Sequence, residues 1–186
     1  MIVNGVWLLL FQSFTEWGFI AGMADIIWML SINLYIMMIS TRTSVNWTEW
    51  ISLRGGFSIY SGWVTAATIL NATFMLKNQG FKDPTIPWVD EEQISIAILG
   101  VAFAIYNAAS YIELNPLYGS VFIWVIVAIR SNIVNNKSQY TDLEAVSSYL
   151  AIFQSISMTA LWTFYFTAEL FEVDLGYNRG LFYEFW

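Results

Sequence analysis

From Phe57 to Leu76 the chain carries no charged side chain, and that stretch is about long enough to cross the hydrocarbon core of a bilayer as one helix. With about 100° between successive residues, the stretch has two chemically different faces. Tyr60, Trp63, Ala67, Leu70 and Asn71 gather on one side, an aromatic stripe ending in a polar amide. Ser58, Gly62 and Ala66, four apart, gather on the other, where small side chains let a second helix come close. A segment that is apolar on both faces cannot lie half in water. It must be enclosed by protein and lipid, and it sets the fold class for the chain.

The composition agrees. Of 186 residues, 58% are hydrophobic and only 11% charged, where a soluble protein has about a quarter charged. The few charges fall between long apolar runs, which exceed what one soluble core of this size can hide. An all-α, polytopic transmembrane bundle of five or six spans is expected, as one membrane domain over residues 1–186. Six segments stand out, at about 2–14, 18–40, 57–76, 93–112, 117–134 and 146–169. The first is short for a span and reads equally as a half-span, a re-entrant piece or the remnant of a longer helix. Asn115-Pro116 marks a tight break between the fourth and fifth. Asp90, Glu91 and Glu92 are placed to open the fourth helix, where negative charge complements the helix dipole. Trp17, Trp47, Trp50 and Trp88 fall near span ends, as interfacial residues do, and the aromatic and acidic tail, 171–186, suits the membrane interface.

Several chemistries are excluded. With no cysteine and no histidine there is no disulfide, no thiolate or Ser-His-Asp catalysis, no histidine-ligated haem and no zinc site of the usual kind. No phosphate-binding glycine loop or metal-ligand spacing occurs, so no catalytic residue and no metal site is assigned and an enzyme is not expected. A net charge of −7 argues against nucleic acid as a partner and against a polybasic lipid-binding surface. The start, Met1-Ile2-Val3-Asn4, shows no basic leader region, so either insertion uses the internal helices or a presequence lies outside this numbering. Lys77, Lys82, Arg130 and Lys137 on one side against Arg42, Arg54 and Arg179 on the other leave the orientation open.

The spacing Tyr60, Trp63-Val64, Ala67, Leu70-Asn71 resembles the most distinctive helix of the tryptophan-rich sensory protein / translocator protein family. The longer form Phe57-Ser58, Tyr60, Gly62-Trp63, Ala67-Thr68, Asn71 is similar to that family's bacterial relatives. Asn4, Trp7 and Phe11 also match, so the resemblance covers about residues 4–78, with segments one to three standing for the family's last three helices (residues 1–78) and residues 79–170 adding further transmembrane helices. The family's first two helices and their Trp- and Pro-rich loop have no counterpart in that alignment. The resemblance implies a site for tetrapyrroles, sterols or similar apolar ligands, with Asn4, Trp7, Tyr60, Trp63 and Asn71 as its lining.

The residues themselves admit two readings. The aromatics and amides line a groove for a flat apolar ligand, or they pack and hydrogen-bond between helices. Asp25 is an intramembrane carboxylate, costly and therefore a functional candidate. It reads as a proton-relay group or an ion ligand, or as a neutral or subunit-paired group near a polar surface. Asn33 and Asn107 are expected to bond between helices. Glu113 reads as a boundary charge or a ligand to a metal-centred pigment, and Arg54-Gly55-Gly56 as a membrane-entry turn with a snorkelling arginine. Together these readings give a non-catalytic, multi-pass membrane protein. The leading expectation is an accessory subunit of a larger membrane complex, in contact with membrane lipids and other membrane-protein subunits and holding lipid, tetrapyrrole or another pigment; an organellar energy-converting membrane fits. The alternative is a stand-alone sensor or transporter of apolar ligands.

Overall fold

The computed structural model describes residues 2–12, 15–42, 50–78, 91–135 and 140–170, and among them every regular element is helical. In chain order these are α1 (Ile2–Gln12), α2 (Glu16–Arg42), a short π-helical turn (Trp50–Gly55), α3 (Gly56–Asn78), α4 (Glu91–Ile112), α5 (Pro116–Asn135) and α6 (Thr141–Leu170). The expected roles of Trp47, Trp88, Asp90 and the tail 171–186 fall outside the described residues, as do the side chains of Asn4, Phe11, Trp50 and Glu91.

Local chemistry sets the helix ends. Thr15 caps α2, its Oγ1 accepting from the Gly18 amide at 3.0 Å. The break before Pro116 is a helix stop and a helix start joined directly. The Asn115 amide reaches back to the Ser110 carbonyl at 2.8 Å, and Leu114 takes the left-handed conformation, φ 47°, that such an ending demands. A leucine there costs about 1–2 kcal/mol relative to glycine. Asn115 then accepts from the Tyr118 amide, and Pro116 fills the first helical position, where its missing N–H is no loss. Glu92 does more than complement its own helix: its carboxylate accepts from the Leu143 amide at 2.8 Å and so caps α6. Asp142 and Glu144 add negative charge to the same first turn, which explains why α6 begins before its apolar run at 146.

The helix α1 has 11 residues, or about 16 Å at 1.5 Å per residue, half of a hydrocarbon core. It packs back on α2. Trp17–Ser40, Glu92–Ile112 and Pro116–Asn135 are long and apolar enough to cross a membrane. The helices α3 and α6, of 23 and 30 residues, have the length too, with many hydroxyl side chains among their apolar ones. The chain is an integral membrane protein, an all-α bundle. Its outer surface is apolar, with Trp17, Trp28, Tyr35, Trp124, Phe153 and Phe164 all exposed, while Ser58, Ser61, Thr65, Asn71, Asn115 and Gln154 are buried. That distribution suits lipid outside and requires hydrogen-bond partners inside.

Helix α3 lies at the centre, with α2 against one side and α5 and α4 against another. Toward α5 it presents Ser58, Ser61, Gly62 and Thr65. Ser58 receives a hydrogen bond from the Asn115 amide at 2.6 Å, Thr65 pairs with the Tyr118 hydroxyl at 2.8 Å, and the Tyr106 hydroxyl donates to the Gly62 carbonyl. Tyr106 stacks on Phe122 at 4.8 Å and lies tilted against Tyr118 at 5.0 Å, tying α4 to α5. A Cβ on Gly62 would come within 2.8 Å of Val121 and 3.1 Å of the Tyr118 carbonyl, so glycine is what permits the approach. Ala66 is half-buried one turn further on. A second seam joins α4, α5 and α6: Gln154 accepts from Asn107 at 2.6 Å and donates to the Gly119 carbonyl at 3.0 Å, and Ser157 donates to Asn107.

Gly62→Ala therefore destabilises the bundle by about 1–3 kcal/mol, read as a lowered thermal midpoint in detergent. Gly100→Ala, where nothing lies within 4 Å of the new methyl group, shows no loss.

Candidate functional site

The aromatic side of α3 divides in two. Val64 and Asn71 turn inward against α2, and Ala67 packs with them on Ile26 and Met29. Trp63 stays 48% exposed, on an outward arc with Ile59, Leu70 and Phe74. Tyr60 stands between the two groups, 39% exposed, with its hydroxyl 3.9 Å from the Met29 sulfur.

Three helices converge on Gly22. A Cβ built there would sit 3.7 Å from Leu10 Cβ, 3.8 Å from the Trp7 ring and 3.9 Å from the Asn71 amide nitrogen. Trp7 of α1 and Asn71 of α3 thus meet over a bare patch of α2, though they are far apart in sequence. Gly18 and Gly22 form a four-residue glycine pair in α2, a close-approach signal that the sequence carries. The methionines that complete the wall, Met23 and Met29, gave no sequence signal beyond apolarity.

Asn71 is fully buried. Its amide nitrogen has only the Met23 sulfur, at 3.7 Å, and its Oδ1 meets no donor among the described residues. Asp25 lies one turn after Gly22 and one turn before Met29, between the levels at which α3 touches α2 through Asn71 and through Tyr60. It is half-buried, and its Oδ2 is buried with no donor among the described residues. A buried, unpaired acceptor costs about 1–3 kcal/mol, more when charged. Both lie on helices that pack together, and the packing among the described residues pairs neither.

Other candidates have structural partners. Asn33 donates to the Met29 carbonyl of its own helix at 2.8 Å; the bond between helices is made instead by Ser61 to the Asn33 backbone carbonyl. Asn107 does bond between helices, to Gln154 and Ser157. Arg54 is buried rather than snorkelling, and its Nε donates to the Ser40 carbonyl at 3.1 Å. The exposed carbonyls at the end of α2 draw that charge inward. Glu113 sits in the turn between α4 and α5. Among the described residues no three carboxylates gather as a metal site.

A model of the TSPO-like protein family matches residues 1–164. The chain belongs to that family. The match runs beyond residue 78 through α4, α5 and most of α6, so the family pattern is not confined to the first three helices. No similar curated protein and no similar solved structure was found.

A side chain placed for a ligand rather than for packing can be replaced at no cost to the fold. Asn71→Leu, which removes the unpaired amide at similar volume, is expected to keep or raise thermal stability, by up to about 1–3 kcal/mol. An amide needed for helix pairing would instead give a loss.

Proposed function

We propose that this TSPO-like membrane protein is a non-catalytic binder of an apolar ligand, held between α1, α2 and α3 by Trp7, Tyr60 and Asn71, with Trp63 on the lipid-facing approach. The observation that carries this reading is Asn71: an amide fully buried beside Trp7 and Gly22, with its carbonyl oxygen meeting no donor among the described residues. A flat apolar molecule with one polar edge fits such a wall, the rings stacking and the amide meeting the edge. Entry is from the bilayer, past the half-exposed Tyr60 and Trp63. Family membership supports the ligand class, with tetrapyrroles and sterols as the first molecules to try, and the protein acts as a sensor or carrier of what it binds.

A second role is compatible with this one. Trp17, Trp28 and Tyr35 project from α2 with 80%, 64% and 65% of their surfaces exposed, a face suited to another membrane subunit as well as to lipid. As an accessory subunit the chain would migrate on a native gel in a complex many times its 21.3 kDa. Migration as a monomer or small homo-oligomer would count against this role.

The binding reading is tested with protein in lipid nanodiscs titrated with a protoporphyrin and with a sterol. Trp7→Ala and Asn71→Ala should each raise Kd about tenfold or more, a loss of about 1.4 kcal/mol, while inserting and folding normally. Unchanged titrations in both variants would overturn the assignment.

A further inference from the structure

Gly22 is not a glycine that close packing requires. Where helix approach demands glycine, a Cβ has no room: at Gly62 it would collide with Val121, and at Gly119 with Met158 and Ser110. Where a Cβ would meet nothing, at Gly5, Gly56 and Gly100, the residue is exposed. Gly22 differs from both groups. It is buried, yet a Cβ built on it would rest at ordinary contact distance, 3.7 Å from Leu10, 3.8 Å from Trp7 and 3.9 Å from the Asn71 amide nitrogen. Alanine would fit, and alanine is the better helix former. The packing of α1, α2 and α3 therefore leaves the choice of glycine unexplained.

What the missing side chain leaves is a methyl-sized gap with a polar wall. Asn71 borders it, fully buried, and Asn71 Oδ1 meets no donor among the described residues. Trp7 borders it through Cδ1, the ring atom bonded to the indole N–H. We infer that Gly22 is the specificity-determining residue of the binding site, and that the group it admits is a hydroxyl on an otherwise apolar ligand. A hydroxyl is about the size of a methyl group and neutral, and it both donates and accepts. It gives its proton to Asn71 Oδ1 and keeps lone pairs for the N–H groups on the same wall. A carboxylate or an ester exceeds the gap, and neither an ionised carboxylate nor an ester has a proton to give Oδ1. A charged end would also lose its hydration among the apolar side chains of α1 and α2. This rests on the binding reading above and deepens it, since an aromatic wall alone accepts an apolar molecule whatever polar group it bears.

The test uses the full-length protein in zwitterionic nanodiscs and two flat fluorescent probes, pyrenemethanol and its methyl ether. Empty nanodiscs give the partitioning baseline. Wild type is expected to bind the alcohol about tenfold more tightly than the ether. Gly22→Ala, which fills the gap, is expected to bring the alcohol down to the ether's affinity, with a thermal midpoint at or above that of wild type. Equal binding of the two probes to wild type would overturn the inference, and so would an undiminished preference for the alcohol in Gly22→Ala. A lowered thermal midpoint in Gly22→Ala would overturn it too, by showing that the junction has no room for a methyl group. Equal binding of both probes, lost in Asn71→Ala, would defeat the hydroxyl and leave the apolar-ligand reading standing. Binding of neither probe above the baseline would defeat both.

Discussion

A bilayer offers no water to a buried polar group, so each one must find its partner within the protein. In this bundle α3 provides the partners for α5 and for Tyr106 of α4. Its narrow side, around Gly62, lets the backbone approach α5 closely enough for Asn115, Tyr118 and Tyr106 to close hydrogen bonds onto Ser58, Thr65 and the Gly62 carbonyl. If α3 and α5 separated by the width of a methyl group, those bonds and the tyrosine stack behind them would fail together. The rest of the structure is arranged around that contact. Helices α4 and α6 are joined by the Gln154–Asn107–Ser157 chain, and Gln154 fastens them to α5 through the Gly119 carbonyl, while α1 and α2 are carried on the opposite side of α3.

Against that rule, the α1–α2–α3 side departs furthest. The main bundle pairs Thr65, Asn107, Asn115, Tyr118 and Gln154 across helices, with the Ser110 hydroxyl left over, whereas on the α1–α2–α3 side Asn71 Oδ1 and Asp25 Oδ2 have no donors among the described residues. Local conflict of this kind, within an otherwise consistent structure, is where function is usually found. The division of labour follows from helix geometry. One side of α3 is used up in building the bundle, another meets α2, and the remaining arc, with Trp63 and Leu70, faces lipid.

Much of this was legible in the sequence because the membrane simplifies the code. Helix positions followed from apolar length, and the break at Asn115-Pro116 from turn chemistry; only the start of α6 was misjudged, since Asp142 and Glu144 hide a helix that begins in the interface. Family membership was readable from the spacing of Tyr60, Trp63 and Asn71, although the matched region proved longer than those residues suggested. Side-chain partners were not readable. Asn33 and Arg54 look like an interhelical amide and a snorkelling cation, and both turn out to bond to α2 carbonyls. Their choice depends on which carbonyl lies nearest, and only the packed structure sets that. Nor does spacing reveal that Trp63 and Asn71, both on the aromatic side of α3, part company because α2 covers one and not the other.

The central claim is that Asn71 Oδ1 meets a bound molecule and not the protein itself. A high-resolution structure of the protein purified in lipid, without added ligand, addresses it most directly. The account predicts density for a non-protein molecule beside Trp7 and Asn71, with a polar atom about 3 Å from Asn71 Oδ1. Asn71 Oδ1 bonded to one of the chain's own donors, with only lipid tails outside the bundle, would contradict it.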